Sequence, residues 1–221
     1  PPGPVPVLPS PALPPIAPHV GRPYEVVAAE SLVTIRVYRG GTLASAGHNH
    51  IIASHTLAGT VYLPGDLLES SFELHLAVAE LTVDERELRS QESAADFPPE
   101  VPQSAREGTR RNMLGPAVLD ADEYPEVVLR AERPGLESRP GAAAGELTAC
   151  AEAQVRDQRR RIALPLHYEL AGDTLIVSGE TTLRQSELGL TPFTALMGAL
   201  AVQDEMRVRF RIVARAADGA R

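Results

Sequence analysis

From Tyr24 onward, apolar and polar positions alternate with a period of two. Val33, Ile35 and Val37 alternate with Thr34, Arg36 and Tyr38. Leu57, Gly59, Val61 and Leu63 form a second run, closed by Pro64-Gly65-Asp66. Phe72, Leu74, Leu76 and Val78 alternate with Glu73, His75 and Ala77. Further runs cover Val127–Ala131, Leu147–Val155, Ile162–Leu170, Thr174–Leu183 and Met206–Ala214. The last is the cleanest, with Met206, Val208, Phe210 and Ile212 on one side and Arg207, Arg209 and Arg211 on the other. A period of two places successive side chains on opposite faces of a strand, so each run predicts an antiparallel strand with one buried and one wet face. Eight or so such strands joined by tight turns predict a sandwich or a barrel: an all-β fold with minor α content.

Two stretches break the alternation. Asp84 to Ala95 contains Glu85, Arg86, Glu87, Leu88 and Arg89, good helix formers behind a candidate Asp84 cap. Ser104 to Leu119 predicts a second helix, shortened by Gly108, Gly115 and Pro116. Residues Pro1 to Pro23 hold ten of the twenty prolines. Proline fixes φ and lacks an amide hydrogen, so this segment is expected as polyproline II or coil. Its apolar residues (Val5, Val7, Leu8, Leu13, Ile16) suit either a segment lying along a surface or a spacer. The expected organisation is a proline-rich extension over 1–23, one β domain over 24–215 and a short tail over 216–221.

Composition narrows the function. The net charge is −8, which argues against nucleic acid as a partner. All 21 basic residues are arginines. A single cysteine, Cys150, cannot form an internal disulfide and falls on the polar face of its strand. No apolar run reaches the roughly 18 residues of a membrane-spanning helix.

Gly47-His48-Asn49-His50 is the most distinctive tetrapeptide, and His55 follows five residues later. A His-x-His pair in extended backbone points both rings to one side. Three neutral imidazoles, His48, His50 and His55, make a candidate site for Zn²⁺ or Cu²⁺. No Asp or Glu lies between Ser31 and Leu63, so a carboxylate would have to come from a distant strand, which counts against a metal. A structural role is the alternative, with His48 and Asn49 bonding loop backbone and Gly47 supplying a turn conformation. A third reading puts His48 and His50 at a pocket mouth, holding a polar headgroup.

The inward-facing positions are aliphatic or small: Val33, Ile35, Leu57, Val61, Leu74, Leu76, Leu147, Ala149, Ala151, Leu164, Leu166, Val177, Val208 and Phe210. Four Phe and no Trp, with alanines at 149, 151 and 153, leave open whether the interior is filled or hollow. For catalysis there is no Gly-x-Ser-x-Gly elbow and no Gly-rich phosphate loop, so no catalytic residue is assigned. Asp120, Asp122 and Glu123 read as turn and capping chemistry. Arg159-Arg160-Arg161 is expected at a hairpin tip opened by Asp157-Gln158. Leu190 to Leu200 is the most apolar loop, expected either to cover one end of the core or to contact a membrane or partner.

Three motifs resemble the YceI-like family of lipocalin-like barrels described as polyisoprenoid- or lipid-binding. Ser31-Leu32-Val33-Thr34-Ile35-Arg36-Val37 is similar to its early strand. Leu119-Asp120-Ala121-Asp122-Glu123-Tyr124-Pro125-Glu126-Val127 is similar to its helix end and Tyr-Pro strand entry. Glu187-Leu188-Gly189-Leu190 followed by Asp204-Glu205-Met206-Arg207-Val208 is similar to its closing segment, and Gly145–Leu170 falls where its long hairpin lies. The proline-rich extension and the Gly-His-Asn-His stretch are departures. The resemblance implies an eight-stranded antiparallel lipocalin-like barrel with one or two short helices and an elongated apolar cavity, while the residues themselves offer no catalytic step. The family's description makes an isoprenoid or lipid the expected ligand; among the inward positions, Val33, Ile35, Leu74, Leu76, Leu164, Leu166 and Phe210 are the candidate contacts, with His48 and His50 as candidates at the mouth. The resemblance also implies a periplasmic location, which would fit removal of a secretory signal ahead of Pro1. The alternatives are an accessory subunit docked on a membrane-associated assembly through the proline-rich extension and the 190–200 loop, and a histidine-based metal- or haem-related binding protein.

Overall fold

The computed structural model describes residues 19–65, 69–132 and 143–217. Residues 1–18 of the proline-rich extension, and the tail beyond 217, lie outside the described residues. The strands are β1 (Arg22–Val26), β2 (Leu32–Gly40), β3 (His50–Ser54), β4 (Ala58–Leu63), β5 (Ser71–Ala77), β6 (Thr82–Val83) and β7 (Glu126–Glu132). They continue with β8 (Ala144–Val155), β9 (Gln158–Ala171), β10 (Thr174–Arg184), β11 (Thr194–Ala195) and β12 (Leu200–Ala216). Two helices, α1 (Arg86–Ser90) and α2 (Gln103–Leu114), lie between β6 and β7.

All pairings are antiparallel, and β1-β4-β5-β7-β8-β9-β10-β12 closes on itself through β12 against β1. This is the eight-stranded closed barrel the alternation and the resemblance predict. Closure leaves these strands without an open edge. Three early strands are broken in two. β1 and β2 lie end to end along β12, β3 and β4 continue one another, and so do β5 and β6. Above the breaks, β2, β3 and β6 extend the sheet past the barrel as β12-β2-β3-β6.

Two of the three breaks are marked by specific hydrogen bonds. At Val27–Ser31 the buried Ser31 hydroxyl donates to Val27 O (2.9 Å) and accepts from Val213 N (3.0 Å), so a side chain replaces lost ladder bonds. At Val78–Leu81 the amide of the buried Val78 donates to Pro125 O (2.8 Å) as the last step of the β5–β7 register, and a tight turn follows, closed by Leu81 N on Val78 O (3.2 Å). The opening beside β6 is covered by α2, whose buried Met113 packs with Val37, Ile52, Val78 and Leu81.

Three local expectations need correction. Residues 84–95 do not form one helix capped by Asp84; only Arg86–Ser90 is helical, with Glu85 at its N-terminus. Asp84 is instead buried, with φ 56°. Its carboxylate finds better partners in the core than at a helix end. Arg159-Arg160-Arg161 lie within β9, because Val155 pairs with Gln158 and leaves Arg156-Asp157 as the turn. Arg156 folds back with φ 55°, its guanidinium 5.6 Å from the Tyr124 ring centre and donating to Val118 O (3.2 Å). Gly47 has φ −100°, a conformation open to any residue, so it supplies no special turn.

Candidate functional site

The barrel interior holds a cavity of about 270 Å³. Val33, Ile35, Leu74, Leu76, Leu164, Leu166 and Phe210 all line it. They reach it by strand alternation. β8 and β9 pair Leu147 with Leu166 and Ala149 with Leu164, and β12 pairs Phe210 with Val33 and Val208 with Ile35. Alanines at 149, 153 and 214 in the lining leave the space that larger side chains would fill. The polar side chains in the lining are Ser70 and Tyr168, and burial pushes the Tyr168 phenol up from its usual pKa.

His48 and His50 line a different space. A second cavity of about 300 Å³ lies at the end of the barrel where β2, β3 and β12 extend. Arg39, Thr109, Asn112 and Gln185 share its lining with the apolar Val37, Ile52, Met113, Phe193 and Leu200. One packed cluster walls both spaces. Val37, Ile52 and Met113 face the second cavity, and Leu188 and Met206 of the same cluster face the first. The apolar barrel and the mixed polar and apolar vestibule are therefore back to back across a layer that includes two methionines.

His50 sits at the centre of a buried network. Its Nδ1 lies 2.6 Å from Asp84 Oδ2 and its Nε2 lies 3.1 Å from Thr109 Oγ1. A carboxylate accepts, so Nδ1 carries the proton between them, and Nε2 is paired with the Thr109 hydroxyl. The other Asp84 oxygen, Oδ1, accepts from Ile51 N (3.0 Å) and from Arg89 (2.5 Å). Burial would raise the Asp84 carboxyl, but His50, the Ile51 amide and Arg89 outweigh it and hold it below its ordinary value. Arg89 is itself buried and also donates to Asn49 O (3.0 Å) and Pro98 O (2.9 Å). Next to it on the sheet, Arg36 pairs with Glu92. The segment from β6 to α2 is thus tied to β3 through His50, Ile51 N and Asn49 O and to β2 through Arg36–Glu92.

The three candidate metal ligands do not converge. His50 is committed to Asp84 and Thr109, and His55 Nε2 is held by Glu85 Oε1 at 2.9 Å. The His48 and His50 ring centres are 6.2 Å apart. Desolvation, followed by the His50 and Arg89 charges, lowers the His48 pKa and favours the neutral imidazole. Among the described residues no group of three or more His, Cys, Asp or Glu is arranged to hold a metal ion. The structural alternative for the tetrapeptide holds at Asn49, which accepts from Arg39 N (2.9 Å) and donates to Asp96 O (2.8 Å).

Asp84, Arg89 and Thr109 are the residues that pattern reading missed. The signal was there in part: a histidine loop with no acid from 32 to 62 needs its carboxylate from elsewhere. Nothing in the alternation singles out Asp84 among the acidic residues that follow β5. Among the described residues no helix is long and apolar enough to cross a membrane.

Fold and site define a closed antiparallel barrel of lipocalin type, apolar within, with a vestibule of mixed polar and apolar lining at one end. The sequence matches the YceI-like domain over residues 24–214, and the chain belongs to that family. Among curated proteins none matches it. Two solved structures share the fold. BcnA of Burkholderia cenocepacia is 14% identical with a TM-score of 0.58, over 85% of this chain and 98% of that one. A polyisoprenoid-binding domain from Saccharophagus degradans, implicated in plant cell wall breakdown, is 10% identical with a TM-score of 0.60, over 88% of this chain and 98% of that one.

Proposed function

We propose that this protein is a non-catalytic carrier that holds an apolar chain-like ligand, an isoprenoid or other lipid, in the barrel. The observation that carries this reading is the cavity of about 270 Å³ lined almost wholly by aliphatic side chains inside a closed barrel. A slim hydrocarbon chain fits such a space, and its burial is worth about 0.8 kcal/mol per CH₂. The cavity is slightly smaller than the roughly 300–1,000 Å³ of typical small-molecule sites. Methionine side chains adapt easily, so displacement of Met113 and Met206 would join the barrel to the vestibule and lengthen the site. The polar end of the ligand would then meet His48, Thr109, Asn112 and Gln185. Family membership and the polyisoprenoid-binding relative agree with this choice of ligand, and the periplasm is the compartment it suggests.

Native mass spectrometry of the protein purified from its own source tests the reading. A lipid-sized adduct is expected, and it should be lost from Ala149→Phe, which puts a ring into the cavity. A wild-type barrel that is consistently empty, even after incubation with prenyl lipids in detergent, would overturn it.

A further inference from the structure

Of the four large apolar side chains that stand exposed among the described residues, three lie on one rim. Leu196 is 64% exposed, Met197 106% and Leu43 46%. Leu196 and Met197 form the tip between β11 and β12, and Leu43 belongs to the loop between β2 and β3. The two loops are tied together. Leu43 N donates to Ala199 O (2.8 Å), and Gly41 comes so close that a Cβ there would lie 2.4 Å from the same oxygen. Both loops border the vestibule, through Gly40 and Gly47 on one side and Ala195 and Leu200 on the other.

The tip is held in an unusual way. Leu196, Met197 and Gly198 have φ of 50°, 55° and 87° in succession. The left-handed region is uncommon for non-glycine residues, and two in a row here belong to the tight connection that joins the paired Ala195 and Leu200. That connection turns two large apolar side chains outward. The charge pattern is as specific. On a chain of net charge −8, neither loop carries an acid: there is none between Ser31 and Leu63 and none between Glu187 and Asp204. Arg39 is the charged side chain at the inner edge of the rim.

We infer that this rim docks on a lipid bilayer, with Leu196, Met197 and Leu43 entering the interface and the vestibule facing the membrane. The inference rests on the carrier reading, since a ligand that does not dissolve in water has to be collected where it resides. The size of the patch favours a bilayer over a protein. A standard protein interface takes roughly 20–30 residues a side, whereas three side chains on two loop tips suit insertion among lipid headgroups and upper acyl chains.

The chain has no tryptophan, so Met197→Trp introduces a single fluorescent reporter. With phosphatidylcholine vesicles its emission should shift to shorter wavelength and be quenched by lipids brominated on the acyl chains. Val20→Trp, at the opposite end of the barrel, should show neither effect. The double variant Leu196→Asp/Met197→Asp should reduce vesicle co-sedimentation at least about tenfold, the scale set by transferring one large apolar side chain. An unshifted Met197→Trp, or an equal shift from Val20→Trp, would overturn the inference. So would a wild-type dimer that the double variant dissociates, because the rim would then belong to a second copy of the chain. Lipid loading from detergent, followed by native mass spectrometry of the double variant, keeps the two readings apart. A loaded double variant alongside an unshifted Met197→Trp leaves the carrier and removes the docking rim. A shifted reporter on a protein that never loads keeps the rim and removes the carrier.

Discussion

At Asp84 a single residue joins three segments, and what it does there is set by where its two oxygens go. One oxygen meets His50, and the other meets Ile51 N and Arg89, with no solvent on the side chain. A charge so enclosed survives only because it is matched on every side; removing one partner leaves the others buried and unmatched. Asp84→Asn should therefore cost roughly 3–5 kcal/mol in urea denaturation. It should also loosen the His50–Thr109 contact, because the single amide oxygen cannot accept from His50, Ile51 N and Arg89 together. The pH dependence follows from the direction of the shift. The Asp84 carboxyl lies below its unfolded value of about 3.9, so it adds stability above that pH and loses it as pH falls through the folded value. Wild-type stability should fall below about pH 4 more steeply than that of Asp84→Asn. Two other histidines diverge in opposite directions. Burial lowers His75, but Glu126 and Glu73 outweigh it and raise its pKa, whereas desolvation leads the lowering of His48. NMR titration of the imidazoles should place His75 above about 6.5 and His48 below it. The opposite order would show that the vestibule is more polar than its lining implies.

The elements divide into those that alternation reveals and those that long-range contacts impose. β8, β9, β10 and the body of β12 are uninterrupted, and their inward residues were readable one by one, since a shift of one residue would reverse every face. The breaks in the first three strands were less legible. Val27–Ser31 and Val78–Leu81 keep apolar residues through the break, and the bonds that mark it reach partners more than 40 residues away: Val213 for Ser31 and Pro125 for Val78. The same holds for the site. The cavity wall was legible because burial follows period, but the Asp84–His50–Thr109 network joins three elements that no spacing rule connects. Gly179 shows the same limit within a regular strand. Its neighbours read as ordinary β10, yet a Cβ there would lie 2.4 Å from Pro165 O and 2.6 Å from the tip of the Phe210 ring. The missing side chain is what lets Phe210 lie against the wall of the cavity. Gly179→Ala should destabilise by about 1–3 kcal/mol, the range for overpacking a tight core. It should also change ligand retention, since Phe210 has to move. Unchanged stability would mean that β10 and β9 part easily just beyond Ser178–His167, where their pairing ends.

Taken as a whole, the molecule places its unfilled space where a filled core would have added stability. Apolar lining around a void loses the contacts that close packing would supply, so an empty barrel of this kind is less stable than an occupied one. Occupancy and stability are then linked: a ligand that binds only the folded barrel raises stability by RT ln(1 + [L]/Kd), about 2.7 kcal/mol at a hundredfold excess over Kd. Delipidated protein should melt at a lower temperature than protein reloaded with a prenyl lipid, and the difference should grow with lipid concentration. Two neighbouring substitutions on β8 separate this from general lipid adsorption. Ala149 is buried and lines the cavity, while Cys150, the next residue, is exposed on the outer face. Ala149→Phe should remove the lipid-dependent rise in melting temperature, because the ring occupies the space the chain would take. Cys150→Ser should leave the rise intact, because one step along a strand reverses the face. Equal behaviour of the two variants would show that lipid acts from outside the barrel, and the interior would then be a void without a tenant.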